Sequence, residues 1–324
     1  MSSLRCAVLT LGVVVIVVTM SMIGFSAQAI DSVEDWRQSK IVFDSERDGD
    51  AEIYVMNPDG SNQQRLTNRK GLDLYPSWSP DGKRIAFGST RDGNMAIFAM
   101  DPDGSNVTRL TKSAYEFSVW SPDWSPDGKR ILFQSPRDGN VEDIFVMDAD
   151  GSNVQRLTNT PGSGKFSSDQ AWSPDGNWIA FNSNRSGKQE IYVMSVDGSN
   201  VKRLTDTPGT AANRKSFKPV WSPDGKRFAF NSTRDRSSDN PAEVVEIYTM
   251  DTDGSNVRRL THTTDEGYPS FDAKWSPDGK KIAFISPLPG AQWSESREIY
   301  VRDADGSNVQ RLTFNEAYDR HHDW

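Results

Sequence analysis

The three histidines of the sequence are the residues best suited to metal chemistry. His262 lies in the last quarter of the chain, and His321 and His322 stand next to Asp323 at its end. Imidazole and carboxylate groups are common ligands of transition metals. Neighbouring side chains on a strand point to opposite faces, so we expect only one of His321 and His322 to reach a common site. We therefore predict no metal site and no cofactor.

The sequence also lacks the motifs of common catalytic sites. It has no G-x-S-x-G nucleophile motif. Residues 162–165 differ from a phosphate-binding loop, because no Ser or Thr follows the lysine. The Asp-Gly-Ser-Asn segments resemble part of a calcium loop, but they lack its bidentate glutamate and their spacing suits a hairpin. We predict that the protein is not an enzyme.

Composition excludes several classes of protein. The chain has 324 residues, of which 35% are hydrophobic and 25% charged, with one cysteine and a formal net charge of −8. This is too apolar for disorder and too poor in cysteine for a disulfide scaffold. The negative balance argues against binding to nucleic acid and to anionic lipid. We expect a soluble globular protein that is a monomer.

The first 29 residues are typical of a secretory signal peptide. Arg5 precedes an apolar run that starts at Cys6 and ends at Phe25, and Ala27-Gln28-Ala29 forms an A-x-A cleavage site. An uncleaved membrane anchor is the alternative, since about twenty apolar residues can span a bilayer. We predict cleavage after Ala29, no stable membrane insertion thereafter, and a periplasmic or secreted protein. Residues 30–39 then form a short lead.

Residues 40–324 consist of repeats. Trp-Ser-Pro-Asp-Gly occurs five times, and Asp-Gly-Ser-Asn and Arg-Leu-Thr occur six times each. Short β-like runs separate these motifs, and their apolar residues are consecutive, which indicates sheets buried on both faces. Pro-Asp-Gly suits a tight turn. Four short strands per unit and six units predict an all-β protein, a six-bladed β-propeller with four-stranded antiparallel blades.

The two ends of the repeat region complement each other. The first unit starts near Ile41 without a preceding Trp-Ser-Pro-Asp-Gly, and the chain stops at Trp324, where the next such motif would begin. We predict that the C-terminal strand joins the N-terminal blade and so closes the ring. In the alternative, Trp36 takes this place and the tail extends freely.

Loop lengths distinguish the two faces of the predicted disc. The interval from the repeat Trp to the next strand is 7 residues in all five copies, whereas the turn after the second strand and the linker between blades differ in length. We call the face with these turns and linkers the variable face. Binding residues tend to lie on loops held by a rigid scaffold, so this face is the functional candidate.

The repeat resembles the TolB-type propeller family. The resemblance rests on Trp-Ser-Pro-Asp-Gly-Lys, Ile-Ala-Phe, Arg-Asp-Gly, Ile-Tyr-Val-Met, Asp-Gly-Ser-Asn and Arg-Leu-Thr, and it covers residues 40–324. It implies a non-catalytic interaction module of the cell envelope, with a Tol–Pal-like or related transport role and an envelope partner such as the peptidoglycan-associated lipoprotein. The amino-terminal α/β domain of that family is expected to be missing here. The same repeat also resembles propellers of peptidases and polysaccharide lyases.

We expect the partner to dock over the channel mouth on loops 231–246 and 285–298. The predicted partner-binding residues are Trp120, Arg234, Asp235, His262, Asp272, Trp293, His321 and His322. The alternative function is a glycan-binding or polysaccharide-lyase-like propeller. In that alternative, His262, Asp272 and one of the two terminal histidines converge on a metal or a sugar.

Overall fold

The computed structural model shows six four-stranded antiparallel sheets. It describes residues 39–111, 119–136, 142–160, 164–208, 214–235, 244–262, 269–288, 296–315 and 317–324, and no helix occurs within them. The predicted all-β, six-bladed fold is confirmed.

From the innermost strand outwards, blade 1 contains β24 (Asp319–Asp323), β1 (Ile41–Ser45), β2 (Glu52–Met56) and β3 (Gln64–Arg65). Blade 2 contains β4 (Asp73–Trp78), β5 (Ile85–Ser89), β6 (Ala96–Met100) and β7 (Thr108–Arg109).

The other four blades follow the same order. Blade 3 contains β8 (Trp120–Trp124), β9 (Arg130–Ser135), β10 (Asp143–Asp148) and β11 (Gln155–Arg156). Blade 4 contains β12 (Ser167–Trp172), β13 (Trp178–Ser183), β14 (Glu190–Ser195) and β15 (Lys202–Arg203). Blade 5 contains β16 (Ser216–Trp221), β17 (Arg227–Ser232), β18 (Glu246–Asp251) and β19 (Arg258–Arg259). Blade 6 contains β20 (Phe271–Trp275), β21 (Lys281–Ser286), β22 (Glu298–Asp303) and β23 (Gln310–Arg311).

The hydrophobic core lies between the blades. The second and third strands of each blade are buried on both faces, as the consecutive apolar residues predicted. In one cluster, Phe43 and Met56 of blade 1 pack with Ile299 and Leu312 of blade 6. Each sheet therefore buries its faces against its two neighbours, so that a single blade has no complete core of its own.

The Arg-Leu-Thr motif attaches the short outer strand to the third strand. In blade 5, Thr261 Oγ1 accepts the N–H of Ile247 at 2.8 Å and donates to the buried Glu246 at 2.5 Å. Arg259 Nη2 lies 2.8 Å from the same carboxylate. A carboxylate–threonine contact of this kind also occurs in blades 1, 3, 4 and 6. These charge-assisted bonds hold an outer strand that has only two residues in its ladder.

The glycine of Asp-Gly-Ser-Asn sets the approach of one blade to the next. Gly198 has a φ of +85°, and a Cβ added there would lie 2.6 Å from the carbonyl oxygen of Leu157 in the preceding blade. A side chain therefore has no room at this position, in addition to the backbone conformation that favours glycine. The two repeated motifs, Asp-Gly-Ser-Asn and Arg-Leu-Thr, thus meet across the blade interface.

Pairing of β24 with β1 closes the ring. Asp323 pairs with Val42 and Asp319 with Ser45, in antiparallel register. Arg320 Nε lies 3.2 Å from the buried Asp44 of β1. The predicted closure by the C-terminal strand is confirmed, and the alternative with a free tail is wrong. Trp36 itself lies outside the described residues, as does the predicted signal peptide.

Substitution of Gly198 by alanine tests the contact between blades. Because the new Cβ meets the Leu157 carbonyl, we expect Gly198→Ala to lower the free energy of unfolding by about 3 kcal/mol, from backbone strain and overpacking together. Gly187→Ala is the matched control, since Gly187 has a φ of +106° but open space around it. It should cost only about 1 kcal/mol. Equal losses in urea unfolding of the two variants would show that the blade contact contributes nothing.

Candidate functional site

The six innermost strands present a ring of residues with left-handed backbone around the channel. Each of these residues stands three positions before the Trp that ends its strand or, in blade 1, directly follows it, and has a φ between 44° and 56°. In blade order from blade 1 they are His321, Tyr75, Ser121, Asp169, Lys218 and Asp272. The strand register shifts at this point in all six blades. A β-bulge re-aims side chains, so this repeated feature builds the channel lining.

A second ring lies two residues further along the same strands. In blade order from blade 1 its members are Asp323, Ser77, Asp123, Ala171, Val220 and Lys274. Residues from both rings line one cavity of about 110 Å³. The innermost strands start at the variable face, so the first ring is the one nearer to that face.

Polar contacts between neighbouring blades fix the two rings. Asp44 Oδ1 accepts the backbone N–H of Tyr75 at 3.1 Å. In the second ring, Asp323 accepts the N–H of Trp78 at 2.9 Å and Asp123 accepts that of Trp172 at 3.0 Å. Each acceptor belongs to the blade before its donor. At these points the lining is therefore held by two neighbouring blades.

One half of the channel, formed by blades 5, 6 and 1, carries paired charges. Lys218 forms an ion pair with Asp272, and Lys274 lies 3.3 Å from Asp323. Burial alone would raise the pKa of Asp272, but Lys218, together with His321 and His322, outweighs it and lowers that pKa to about 2. Burial would also lower the pKa of Lys274, yet the carboxylates of Asp323 and Asp123 raise it. Asp272 and Lys274 are therefore charged at neutral pH.

The other half carries carboxylates without a cation in contact. Asp169 of blade 4 and Asp123 of blade 3 form no ion pair within the described chain. Burial raises the pKa of each to about 6, and the charges of Lys218 and Lys274 lower it only partly. With two lysines and four aspartates in the two rings, the lining has an excess of negative charge.

The two terminal histidines both line the channel, which corrects the expectation from strand alternation. His321 is the left-handed residue of β24, with a φ of 44°, so the bulge breaks the alternation between it and His322. His321 Nδ1 lies 2.9 Å from Asp44, and the centroid of its ring lies 4.0 Å from that of Tyr75, with the two ring planes tilted by 43°. Burial lowers the pKa of His322 to about 4, so that its ring is neutral at pH 7.

The other predicted site residues lie apart from the cavity. Trp120, at the start of β8, is half-buried and donates from Nε1 to Gln134 at 3.2 Å. Arg234 stacks on Phe230 at 5.1 Å within blade 5, and Asp235 accepts the Tyr248 hydroxyl at 3.0 Å. Arg234 and Asp235 therefore make contacts within blade 5.

His262 follows β19 and is not part of the cavity lining. Trp293 lies outside the described residues. The structure thus brings together Asp272, His321 and His322, without His262. Within the described ranges no group of three or more His, Cys, Asp and Glu side chains is placed to hold a metal ion. In the same ranges no helix is long and apolar enough to cross a bilayer.

Most of the channel lining was not among the predicted site residues. Asp123, Asp169, Lys218 and Lys274 occupy two positions that are fixed relative to the repeat Trp, three residues and one residue before it. Aligning the repeats on that Trp would have listed both rings. Simple strand alternation places these two positions on the same face, but it gives no reason for the residue between them to reach the channel. The bulge accounts for that residue, as at Gln170 and His322, which line the cavity too.

Comparison with known proteins identifies the family of this repeat. A family described as the TolB beta propeller domain matches the chain over residues 36–123, 111–238 and 209–324. The chain belongs to the TolB β-propeller family. It is 42% identical over 64 residues to the Tol-Pal system protein TolB of Geobacter sulfurreducens, and that alignment covers 19% of this chain and 14% of the relative. The match therefore spans about one-seventh of the relative's length.

Solved structures share the fold of this TolB-family propeller. TolB from Acinetobacter baumannii superimposes with a TM-score of 0.72 at 23% identity, over 92% of this chain and 69% of that one. Oligogalacturonate lyase from Vibrio parahaemolyticus superimposes with a TM-score of 0.57 at 15% identity, over 86% of this chain and 75% of that one. At these sequence identities, the structural similarity shows a shared fold only.

Asp169→Asn tests the electrostatics of the TolB-family channel. The folded-state pKa of Asp169 is raised above the ordinary value, so its ionisation destabilises the fold as pH rises from about 4 to about 6, and the cost stays constant above that. We expect Asp169→Asn to raise the unfolding free energy by roughly 1–2 kcal/mol at pH 7.5, an amount discounted for partial solvent exposure. At pH 4 the gain should vanish.

Asp272→Asn is the matched control, because it removes the partner of Lys218 and should destabilise the protein at pH 7.5. Urea unfolding at the two pH values measures both variants. A loss of stability in Asp169→Asn at pH 7.5 would contradict the assignment of Asp169 as an uncompensated charge.

Proposed function

We propose that this propeller is an exported, non-catalytic interaction module of the Tol–Pal type at the cell envelope. Its partner is an envelope protein, such as the peptidoglycan-associated lipoprotein, that docks on the variable face over the channel mouth. Family membership over residues 36–324 and the Tol-Pal designation of a relative support this role. The loops 231–246 and 285–298 and the predicted contact residues Trp120 and Trp293 belong to the same proposal.

Exposed apolar side chains on the variable face are the observation that carries the docking proposal. Phe314 is 73% exposed in the linker from blade 6 to blade 1, and Leu72 is 40% exposed in the linker from blade 1 to blade 2. These linkers are adjacent around the ring. Arg311 lies over the Phe314 ring at 4.6 Å. Exposed aromatic residues with a neighbouring arginine are favourable anchors for a protein partner.

Phe314→Ser tests the docking face. The side chain is largely exposed, so the substitution should leave stability nearly unchanged while it weakens capture of the peptidoglycan-associated lipoprotein of the same organism about tenfold or more. Val309→Ser is the control, since Val309 is 45% exposed on the opposite face. Surface plasmon resonance with the immobilised lipoprotein measures both. If lipoprotein binding fails with wild type, or if only Val309→Ser weakens it, the proposed face or partner is wrong.

Export can be tested independently of partner binding. The signal-peptide features predict that the mature protein in an envelope fraction starts at Ile30. Intact-mass and N-terminal analysis of protein purified from that fraction checks the cleavage site. Changing Ala27 and Ala29 to bulky residues should block processing at this site. Recovery of the full-length chain in the cytoplasm would refute the exported location.

The non-catalytic assignment has its own test. The alternative is a lyase-like propeller with a glycan at the channel mouth, and the shared architecture with oligogalacturonate lyase makes that substrate the informative probe. We expect no cleavage of oligogalacturonate with or without added divalent metal. Cleavage that disappears in His321→Ala or Asp272→Ala would replace the interaction role with the catalytic one.

A further inference from the structure

The inner strands of blades 3 and 4 form one connected acidic wall. Gln170 of β12 donates from Nε2 to the carbonyl oxygen of Ser121 on β8 at 2.6 Å, and the N–H of Trp172 reaches Asp123 at 3.0 Å. Asp123 and Asp169 are therefore carried by neighbouring strands that are bonded to each other. We call this part of the channel, made of Ser121, Asp123, Asp169 and Gln170, the acidic wall.

An unpartnered amide oxygen accompanies the two carboxylates. Gln170 is only 8% exposed and lines the cavity, and its Oε1 has no hydrogen-bond partner within the described chain. Because the Ser121 carbonyl can only accept, Nε2 must be the amide atom that bonds to it, and Oε1 is fixed as a vacant acceptor. A buried acceptor without a donor costs about 1–3 kcal/mol, so it indicates a missing ligand group.

The charges of the opposite half are already satisfied. Lys218 is held by Asp272 and Lys274 by Asp323, so neither lysine is available to neutralise the acidic wall by direct contact. Asp123 and Asp169 thus leave about two negative charges in a cavity of about 110 Å³. Asp123, Asp169 and Gln170 Oε1 offer acceptors to a ligand there, and the hydroxyl groups of Ser121 and Tyr75 can accept as well as donate. A cation with several N–H groups is the ligand that best matches this lining.

The spacing of the groups favours an organic cation over a single metal ion. No three His, Cys, Asp or Glu side chains of the described residues are grouped closely enough to ligate one ion. A guanidinium or an ammonium at the end of a flexible chain can instead donate in several directions, to acceptors on two strands and at two levels of the channel.

We propose that the acidic wall binds an organic cation, the guanidinium or ammonium group of an arginine or lysine side chain on an extended partner segment that enters the channel from the variable face. The choice of a partner side chain over a free amine rests on the proposed interaction function. The cation pairs with Asp123 and Asp169 and donates to Gln170 Oε1.

Calorimetry with capped tripeptides tests the site on the full chain purified after export. The probes are acetyl-Gly-Arg-Gly-amide and acetyl-Gly-Lys-Gly-amide, with the isosteric neutral acetyl-Gly-citrulline-Gly-amide and the free amine spermidine as comparisons. We expect saturable binding of a charged tripeptide and none of the citrulline peptide. Asp123→Asn and Asp169→Asn should each weaken binding roughly tenfold or more, as loss of a charge-assisted bond predicts.

The control variant is Asp197→Asn, which makes the same change in an exposed turn far from the channel. It should bind like wild type, and thermal unfolding of all three variants separates lost binding from lost fold. Absence of saturable binding, equal binding of the citrulline peptide, or unchanged affinity in both channel variants would each overturn the proposal. Binding of spermidine alone would overturn the assignment to a partner side chain.

The same variants separate this inference from the proposed function. If the peptidoglycan-associated lipoprotein binds wild type, Asp123→Asn and Asp169→Asn equally, the interaction role stands and the cation site in it is wrong. If the charged tripeptides bind as expected but the lipoprotein does not, the cation site stands and the proposed partner is wrong.

Discussion

The closed ring of inner strands is the constraint on which the rest of the structure depends. Each innermost strand touches its counterparts in the two neighbouring blades, and β24 completes the circle by lying between β20 and β4. It does so because its backbone pairs with β1, from the other end of the repeat region, and because Arg320 meets the buried Asp44. Without that closure blade 1 would lack an inner strand, and the channel would lack His321, His322 and Asp323.

The charges in the channel are paired in one half and unpaired in the other. In one half, Lys218 and Asp272 neutralise each other, and their attraction offsets the free-energy cost of burying the two charges. In the other half, Asp123 and Asp169 are kept ionised at neutral pH although burial raises the pKa of both to about 6. A fold selected for stability alone would pair or remove such groups, and local violations of this kind are expected where a protein binds something.

The repeat motifs can be explained by the contacts that their residues make in the fold. The threonine of Arg-Leu-Thr satisfies a backbone N–H and a buried carboxylate, as Thr261 does for Ile247 and Glu246. The glycine of Asp-Gly-Ser-Asn lets the turn approach the leucine carbonyl of the preceding blade, as Gly198 does at Leu157. Each motif thus stabilises a contact between two strands or between two blades. In this chain the motifs therefore maintain the architecture, whereas the channel positions differ from blade to blade.

The sequence by itself determined the class, the number of blades and the way the ring closes, because these follow from local patterns and from the complementary ends at Ile41 and Trp324. It placed Asp272, His321 and His322 among the candidates, and an alignment of the repeats would have added Asp123, Asp169 and Lys218, but it could not show that these residues meet in one cavity. Only the tertiary structure decided that grouping. A bulge in every inner strand turns one residue out of the strand alternation, and six strands far apart in sequence bring those residues to one axis, where burial and the neighbouring charges set their pKa values.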